Sequence, residues 1–369
     1  MKRRILSMIF AVTVITITAI TGCSKEKEID SKNDNNDLVS KEDNQQIEEN
    51  NEKTPSENEN DSITIGFSIA GSFDNKKMMI DSISDTFTEE GGYTLFTEDS
   101  GENEEQQFTT IREFMKKDMD YMIIAPLGES KEWETVLEEA KQAEIPVILV
   151  GNKIEVEDNQ LYTAWIGSDY FQEGYDAGDW LEEYLKQKGH NNEEEVQIVM
   201  VRDSIDSMAI KGRFEGFLEQ KQIAKQDHWN IFDDQKELQE QEKEDAVLGI
   251  SIEKVQELLE QEEKIDAIIC GNDQIAFEVL QFLDKTEKTY GADGEIAVIS
   301  FGASKEGLEF VRDGKINVEI EQNISYGSYV EDVVKRLRTG DEIDKIQYVM
   351  EDIFTKENVE EKLTSMETP

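Results

Sequence analysis

The sequence predicts an α/β protein built as two doubly wound parallel-sheet lobes. Three observations carry that expectation. Short apolar runs recur along the chain, stretches with helical periodicity alternate with them, and nearly every run ends on small or polar residues. A strand that must cross back to a parallel neighbour needs a helix between, and this rhythm supplies one each time.

The elements follow in order from Ser62. A first series of strand candidates lies at 63–68, 94–98, 120–125 and 145–150. The first three lead into amphipathic helix patterns, such as Phe108, Ile111, Phe114 and Met115. Gly91-Gly92 and Gly151 mark where helices or strands stop, and Pro146 sits early in its strand, where a missing N–H does least harm. A second series follows at 161–168, 196–201, 229–232, 267–270, 296–300 and 316–321, with helices between. A helix pattern at 326–337 and a strand candidate at 347–350 close the count, which fits two lobes.

In open α/β sheets ligands bind beyond the carboxyl ends of the strands. Those ends read Phe67-Ser68, Glu98-Asp99, Ala125-Pro126, Gly151-Asn152, Gly167-Ser168-Asp169, Arg202-Asp203, Gly271-Asn272-Asp273, Gly302 and Glu321-Gln322. A cleft lined this way suits a hydroxylated solute, because each polar group left unpaired on closure costs about 1–3 kcal/mol.

Ahead of the lobes, Lys2, Arg3 and Arg4 precede an apolar stretch at 5–20 that is short for a membrane span. Ile20-Thr21-Gly22-Cys23 resembles the lipobox of bacterial lipoproteins, in which the cysteine is acylated and becomes the first residue of the mature chain. The alternative is an ordinary secretory leader with an incidental cysteine. On the lipoprotein reading, 1–22 is a signal peptide and Cys23 the lipid anchor to the outer face of the cytoplasmic membrane, which suits a Gram-positive cell. Residues 23–61 are almost wholly polar and read as a disordered acidic tether. With Cys23 used, Cys270 is the one thiol left, so no internal disulfide is available.

The chain carries 84 acidic and 38 basic residues, a net charge of −46. Such a surface is repelled by nucleic acid and by anionic lipid headgroups. No catalytic constellation is evident. His190 and His228 lie in acidic segments far from the strand ends, and there is no nucleophile elbow, no Walker loop and no dinucleotide fingerprint. No metal site and no cofactor are expected, and the reading is a binding protein rather than an enzyme.

Several stretches together resemble the periplasmic sugar-binding proteins of ABC importers, of the ribose and galactose class, with the galactofuranose-binding branch nearest in flavour. They are "IGFS" at 65–68, "YMIIAP" at 121–126, "WETVLEEAKQAEIPVILV" at 133–150 and "WIGSDYFQEGYDAGDWL" at 165–181. An R-x-x-G-F helix follows at 213–217, an N-D turn in "GNDQIA" at 271–276 and a hinge strand in "DGKINVEIEQN" at 313–323. The resemblance implies a type I periplasmic binding protein, a two-lobed clamp with a three-strand hinge, crossing near Gly167, near 321–323 and near Asp344. The first lobe is then expected at 62–167 plus 323–345, the second at 168–322 plus 346–355, with a C-terminal tail at 356–369. It further implies a monomer that captures a small ligand, a monosaccharide, and delivers it to ABC permease subunits. A ligand-sensing subunit that signals to a membrane kinase or chemoreceptor is the alternative.

By the same resemblance Arg213 and Asn272 are the positions that bond sugar hydroxyls. A guanidinium offers a fork of donors, and an amide both donates and accepts. Asn272 also fits the N-cap of the helix after it. Three grips of the family are replaced here. Asp-Arg after the fourth strand becomes Gly151-Asn152, Asp after the late strand becomes Gly302, and Trp-Arg after the first strand corresponds to Lys76-Lys77. Galactofuranose is therefore not carried over. Asn152 is expected to pair with hydroxyls, Lys76 or Lys77 to supply charge, and Phe73 to stack on a sugar face. Asp99 is placed at the second strand's exit, as a ligand contact or a helix cap, and Glu321 in the hinge, facing ligand or an arginine.

Overall fold

The computed structural model describes residues 62–367 apart from 74–75, 129, 192–193, 204–206, 233–248 and 262. The leader at 1–22, Cys23 and the acidic segment to 61 lie outside the described residues.

In chain order the first elements are β1 (Ile63–Ile69), α1 (Lys76–Thr86), β2 (Tyr93–Asp99), α2 (Glu104–Lys116), β3 (Tyr121–Ala125), α3 (Glu132–Gln142), β4 (Val147–Val150) and β5 (Ala164–Gly167). Next come α4 (Tyr170–Gln187), β6 (Val196–Arg202), α5 (Met208–Ile223), β7 (Trp229–Phe232), β8 (Ile250–Ser251), α6 (Ile252–Glu260), β9 (Ala267–Cys270) and α7 (Asp273–Leu283). The remainder is β10 (Ala297–Gly302), α8 (Lys305–Arg312), β11 (Val318–Glu321), α9 (Gly327–Thr339), β12 (Ile346–Tyr348), β13 (Ile353–Thr355) and α10 (Val359–Glu367).

The first lobe is a parallel sheet in the order β12-β5-β4-β3-β1-β2, and the second runs β13-β11-β10-β9-β6-β7, with β8 beside β6. Within the second sheet β13 pairs antiparallel to β11. Side chains alternate across the first sheet as a period of two demands. Ile123 and Ala125 of β3 join one core with Met79 and Val330, whereas Met122 and Ile124 join the other with Phe114 and Trp133. Both faces are therefore apolar, as expected of a parallel sheet covered on both sides by helices.

Two boundaries differ from the expectation. The sequence reading places 346–355 whole in the second lobe, but Ile346–Tyr348 pairs with Trp165–Gly167 in the first-lobe sheet. The third crossing therefore falls at 349–352, between β12 and β13, and not near Asp344. The segment 356–369 is not a free tail over its described part. Val359 and Leu363, one helical turn apart, are buried in the second-lobe core, with Met366 packed against it. Their Glu- and Lys-rich surroundings hide that stripe from a reading by composition.

The three crossings are laterally bonded. Val349 N–H donates to Gly167 O at 3.0 Å, Glu321 N–H to Asp352 O at 2.9 Å, and Asn323 Nδ2 to Met350 O at 2.9 Å. These bonds make a narrow three-stranded neck between the lobes.

Candidate functional site

The carboxyl ends of both sheets open on one cavity of about 400 Å³. The first lobe contributes Gly71 to Phe73 after β1, Ala125 to Leu127 after β3, and Gly151 with Asn152 after β4. The second contributes Tyr170 at the start of α4, Asn272 to Gln274, Phe301 and Gly302 of β10, and Ser304. Gln322, Ile324 and Tyr326 line it from the second crossing.

Buried side chains hold the first-lobe loops rigid. Gln107 donates from Nε2 to Ala125 O at 2.8 Å and accepts from Leu127 N–H at 3.0 Å. Trp133 Nε1 donates to Leu127 O at 3.2 Å, and Trp165 Nε1 to Gly151 O at 3.0 Å. Asn152 gives one amide hydrogen to Pro126 O at 3.3 Å. The loops thus present fixed backbone and amide groups, which lowers the ordering cost of binding.

Behind the second-lobe wall lies Arg213, 2 % exposed. Its Nε bonds Glu173 Oε2 at 2.5 Å, its Nη1 donates to Gly271 O at 2.8 Å, and its Nη2 donates to Gln322 Oε1 at 3.2 Å. The guanidinium also stacks between the rings of Tyr170 and Phe301, at 5.3 and 4.9 Å. Gln322 in turn donates to Tyr170 OH at 3.3 Å. Helices α4 and α5 approach closely enough for this pairing because Gly174 and Gly216 meet opposing backbone directly; a β-carbon at either would overlap it. Burial works against the Arg213 charge, and Glu173 beside it more than offsets that, holding its pKa above the usual value. Burial pushes Tyr170 up to about 12, so its hydroxyl stays neutral.

A buried acid pair underlies the same wall. Asp273, at the first turn of α7, accepts from Ser300 Oγ at 3.1 Å and Ser304 N–H at 2.9 Å. Glu319 lies beside it with no exposure and accepts from Ala303 N–H through Oε1 at 3.1 Å. Its Oε2 has no nitrogen or hydroxyl donor among the described residues. Burial, and then the adjacent Asp273 carboxylate, push the Glu319 carboxyl well above the usual range. A protonated Glu319 donating to Asp273 satisfies both. Among the described lining residues, Asp273 is the one acidic side chain, and no lysine or arginine lines the cavity.

The residues singled out by sequence divide cleanly. Phe73, Asn152, Asn272 and Gly302 line the cavity, and Arg213 stands immediately behind it. Asn272 also caps α7, its Oδ1 accepting from Ile275 N–H at 2.9 Å. Four others do not line it. Lys76 turns back to Gly71 O and to Asp99 Oδ1, both at 2.6 Å, so its charge is spent inside the first lobe. Asp99 holds Lys76 and the Gly101 N–H, while the cap of α2 is Asn103. Lys77 is exposed and pairs with Asp81 one turn along α1. Glu321 faces the opposite side of its strand, bonded to Lys362 at 2.6 Å and to Asp352 N–H at 3.1 Å. Its neighbour Gln322 takes the cleft position, since successive strand residues point to opposite faces.

A family model described as a periplasmic binding protein domain matches residues 65–342. The chain belongs to the periplasmic binding protein family. Over 157 residues this family member is 32% identical to the galactofuranose-binding protein YtfQ of Escherichia coli K12, covering 42% of its own length and 47% of the relative's. The match thus spans about half of that relative. A Mycobacterium smegmatis structure in complex with β-D-fucofuranose superposes with a TM-score of 0.65 at 23% identity, covering 82% of this chain and 95% of that one. A fructose-binding periplasmic domain of a hybrid two-component system superposes with a TM-score of 0.61 at 22% identity, covering 82% and 94%. These two likenesses establish the fold, the type I arrangement of two parallel-sheet lobes. The family is one of binding proteins, in keeping with the absence of a catalytic constellation in the sequence.

In this periplasmic binding protein, the sequence places Asp273 and Gln322 only among the strand-end residues, without singling them out as ligand contacts, and it gives Tyr326 no place in the cavity at all. A signal existed for Gln322 in the alternation along 316–321, which places residue 321 inward on the sheet and 322 on the ligand side. None existed for Tyr326, which reaches the cavity only through the path of the second crossing.

Proposed function

We propose that the protein is an extracellular solute-binding lipoprotein. It encloses a small uncharged hydroxylated guest, a monosaccharide or polyol, by closing its lobes, and delivers it as a monomer to an ABC permease. The observation that carries this is the composition of the cavity. Amides and hydroxyls from both lobes face aromatic rings, the one lining carboxylate, Asp273, is tied to Ser300 and Ser304 of its own lobe, and no cation stands among the described lining residues to match an anionic guest. The sugar-named relative and the sugar-bound structural neighbour support the ligand class. Closure desolvates the guest, and the closed shape is what a permease reads. In this reading Cys23 carries the lipid and 23–61 is the tether between membrane and lobes. Several acyl chains give durable anchoring, since each buried methylene contributes about 0.8 kcal/mol.

The fructose-binding neighbour from a two-component system favours a second reading, a sensor subunit of the same shape. Uptake in cells lacking the protein separates the two. Lost uptake supports the importer; intact uptake with a lost transcriptional response supports the sensor.

Thermal shift against D-galactose, D-fucose, L-arabinose, D-fructose and myo-inositol tests the ligand class. A ligand at a hundred times its Kd should add about 2.7 kcal/mol of stability. No shift with any of them, together with a shift from a charged metabolite, overturns the proposal.

A further inference from the structure

The neck contains a carboxyl that the binding reading does not use. Glu351 lies on the third crossing, between β12 and β13, and three groups converge on it, two of them buried. Asn323 N–H of the second crossing donates to its Oε1 at 3.1 Å. The Ser168 hydroxyl of the first crossing is buried, has no other partner among the described residues and faces the same carboxyl. From α4, Glu173 lies against it. Thus one side chain touches all three strands of the neck.

The Glu173 contact decides the chemistry. Glu173 Oε2 is taken by Arg213, and its Oε1 is buried and receives no hydrogen from any nitrogen or hydroxyl among the described residues. The group against it is another carboxyl. A buried carboxylate and a half-buried one in contact disfavour double ionisation, whereas one proton between them satisfies both oxygens. We propose that Glu351 is a positioning residue and the latch of the hinge. It carries the proton bonded to Glu173, ties the three crossings together, and through Glu173 keeps Arg213 aimed at Gln322 in the cavity wall.

The surroundings agree. Burial, and then the Glu173 carboxylate, push Glu351 up to about 8; Ser168, Asn323 N–H and Arg213 pull the other way. The groups facing it are Glu173 and Tyr170 of α4, Arg213 of α5, and Tyr326 ahead of α9. Asp169 adds its charge to Glu173. Below that pH the latch is neutral and closed. Above it the neck holds two adjacent anions beside a single guanidinium, and the lobes lose their fixed angle. This holds whatever the guest is, so it stands apart from the ligand class proposed above.

The test compares the native chain with Glu351→Gln, whose amide keeps both a donor for Glu173 and an acceptor for Asn323. Spin labels on Thr109→Cys and Glu219→Cys, in Cys23→Ser protein without ligand, report the distance between lobes. The expected result is a broader, longer distribution at pH 9.5 than at pH 6.5 when Glu351 is present, and no change in the Glu351→Gln variant. The folding constant should also fall roughly tenfold less per pH unit between pH 5 and 8 in Glu351→Gln than in the native chain, since one proton fewer is released on unfolding. Identical distributions at both pH values in the native chain, or the same shift in the variant, overturn the proposal. Should the variant not fold, carbon-13 NMR of glutamate-labelled native protein decides. A carboxyl titrating well above the usual range that persists in Glu319→Gln is required, and its absence refutes the latch.

Discussion

The carboxylate of Asp273 occupies the space above the α-carbon of Gly302. A β-carbon built at Gly302 would stand 3.1 Å from both Cγ and Oδ2 of Asp273, on a backbone with φ of +139°. Where the resemblance to the ribose and galactose class leads one to expect an aspartate, this chain has a gap already filled from the neighbouring helix. Restoring the aspartate by Gly302→Asp is therefore not expected to rebuild a sugar grip. It should cost about 1–3 kcal/mol from backbone strain alone, with charge repulsion added. Urea unfolding measures the loss, and Asp273→Asn in the same chain should recover part of it. An unchanged midpoint for Gly302→Asp contradicts the geometry.

Arg213→Ala strips the buried Glu173 of its cationic partner. The expected loss is about 3–5 kcal/mol, as for other buried pairs broken from one side. Arg213→Met with Glu173→Leu should be much closer to the native stability, because no charge is left unpaired. Equal losses for the single and double changes would mean that packing between α4 and α5, not charge, dominates. Ligand binding should fall in both, through the loss of the Gln322 contact.

The capping role of Asn272 can be separated from its proposed role in holding ligand. Asn272→Ala removes the cap of α7 and should cost about 1 kcal/mol. Asn272→Ser restores a capping oxygen, so the unfolding midpoint should return while affinity for the bound solute stays low. Recovery of both by serine would assign Asn272 to the helix alone.

Stability should decline as pH rises from 5 to 8. Glu319 and Glu351 both have carboxyl pKa values raised in the folded chain, by burial first and by the neighbouring acid second. Each keeps a proton that the unfolded chain releases above about pH 4.3, so its contribution is complete below that pH. It is lost as pH climbs toward the folded value, at roughly 1.4 kcal/mol per pH unit for each proton. Chemical denaturation at several pH values gives the slope, and Glu319→Gln should reduce it. A flat profile across this window would mean that neither carboxyl holds its proton.

Much of the architecture is legible in the residues. The strands declare themselves because parallel sheets covered on both faces need continuous apolar runs, as in "YMIIA" and "AIIC". The cavity positions Asn152, Asn272 and Gly302 follow because strand ends are where open sheets bind. What failed was register and partner choice. Glu321 and Gln322 are both polar neighbours in a hinge strand, and only the pleat decides which one lines the cavity. Lys76 and Asp99, far apart in sequence, satisfy each other at 2.6 Å, which no pattern along the chain reveals. The third crossing moved because Ile346 and Tyr348 form an edge strand of three residues, too short to announce its sheet.

Neither half of the molecule is a contiguous piece of chain. The first sheet is finished by β12 and the second by β13 and α10, all within residues 346–367. A nascent polypeptide leaving the ribosome therefore holds two incomplete sheets at once, each with an unpaired margin open to strangers. The lobes must mature together and late, so a stop codon placed before β12 would spoil both rather than truncate one.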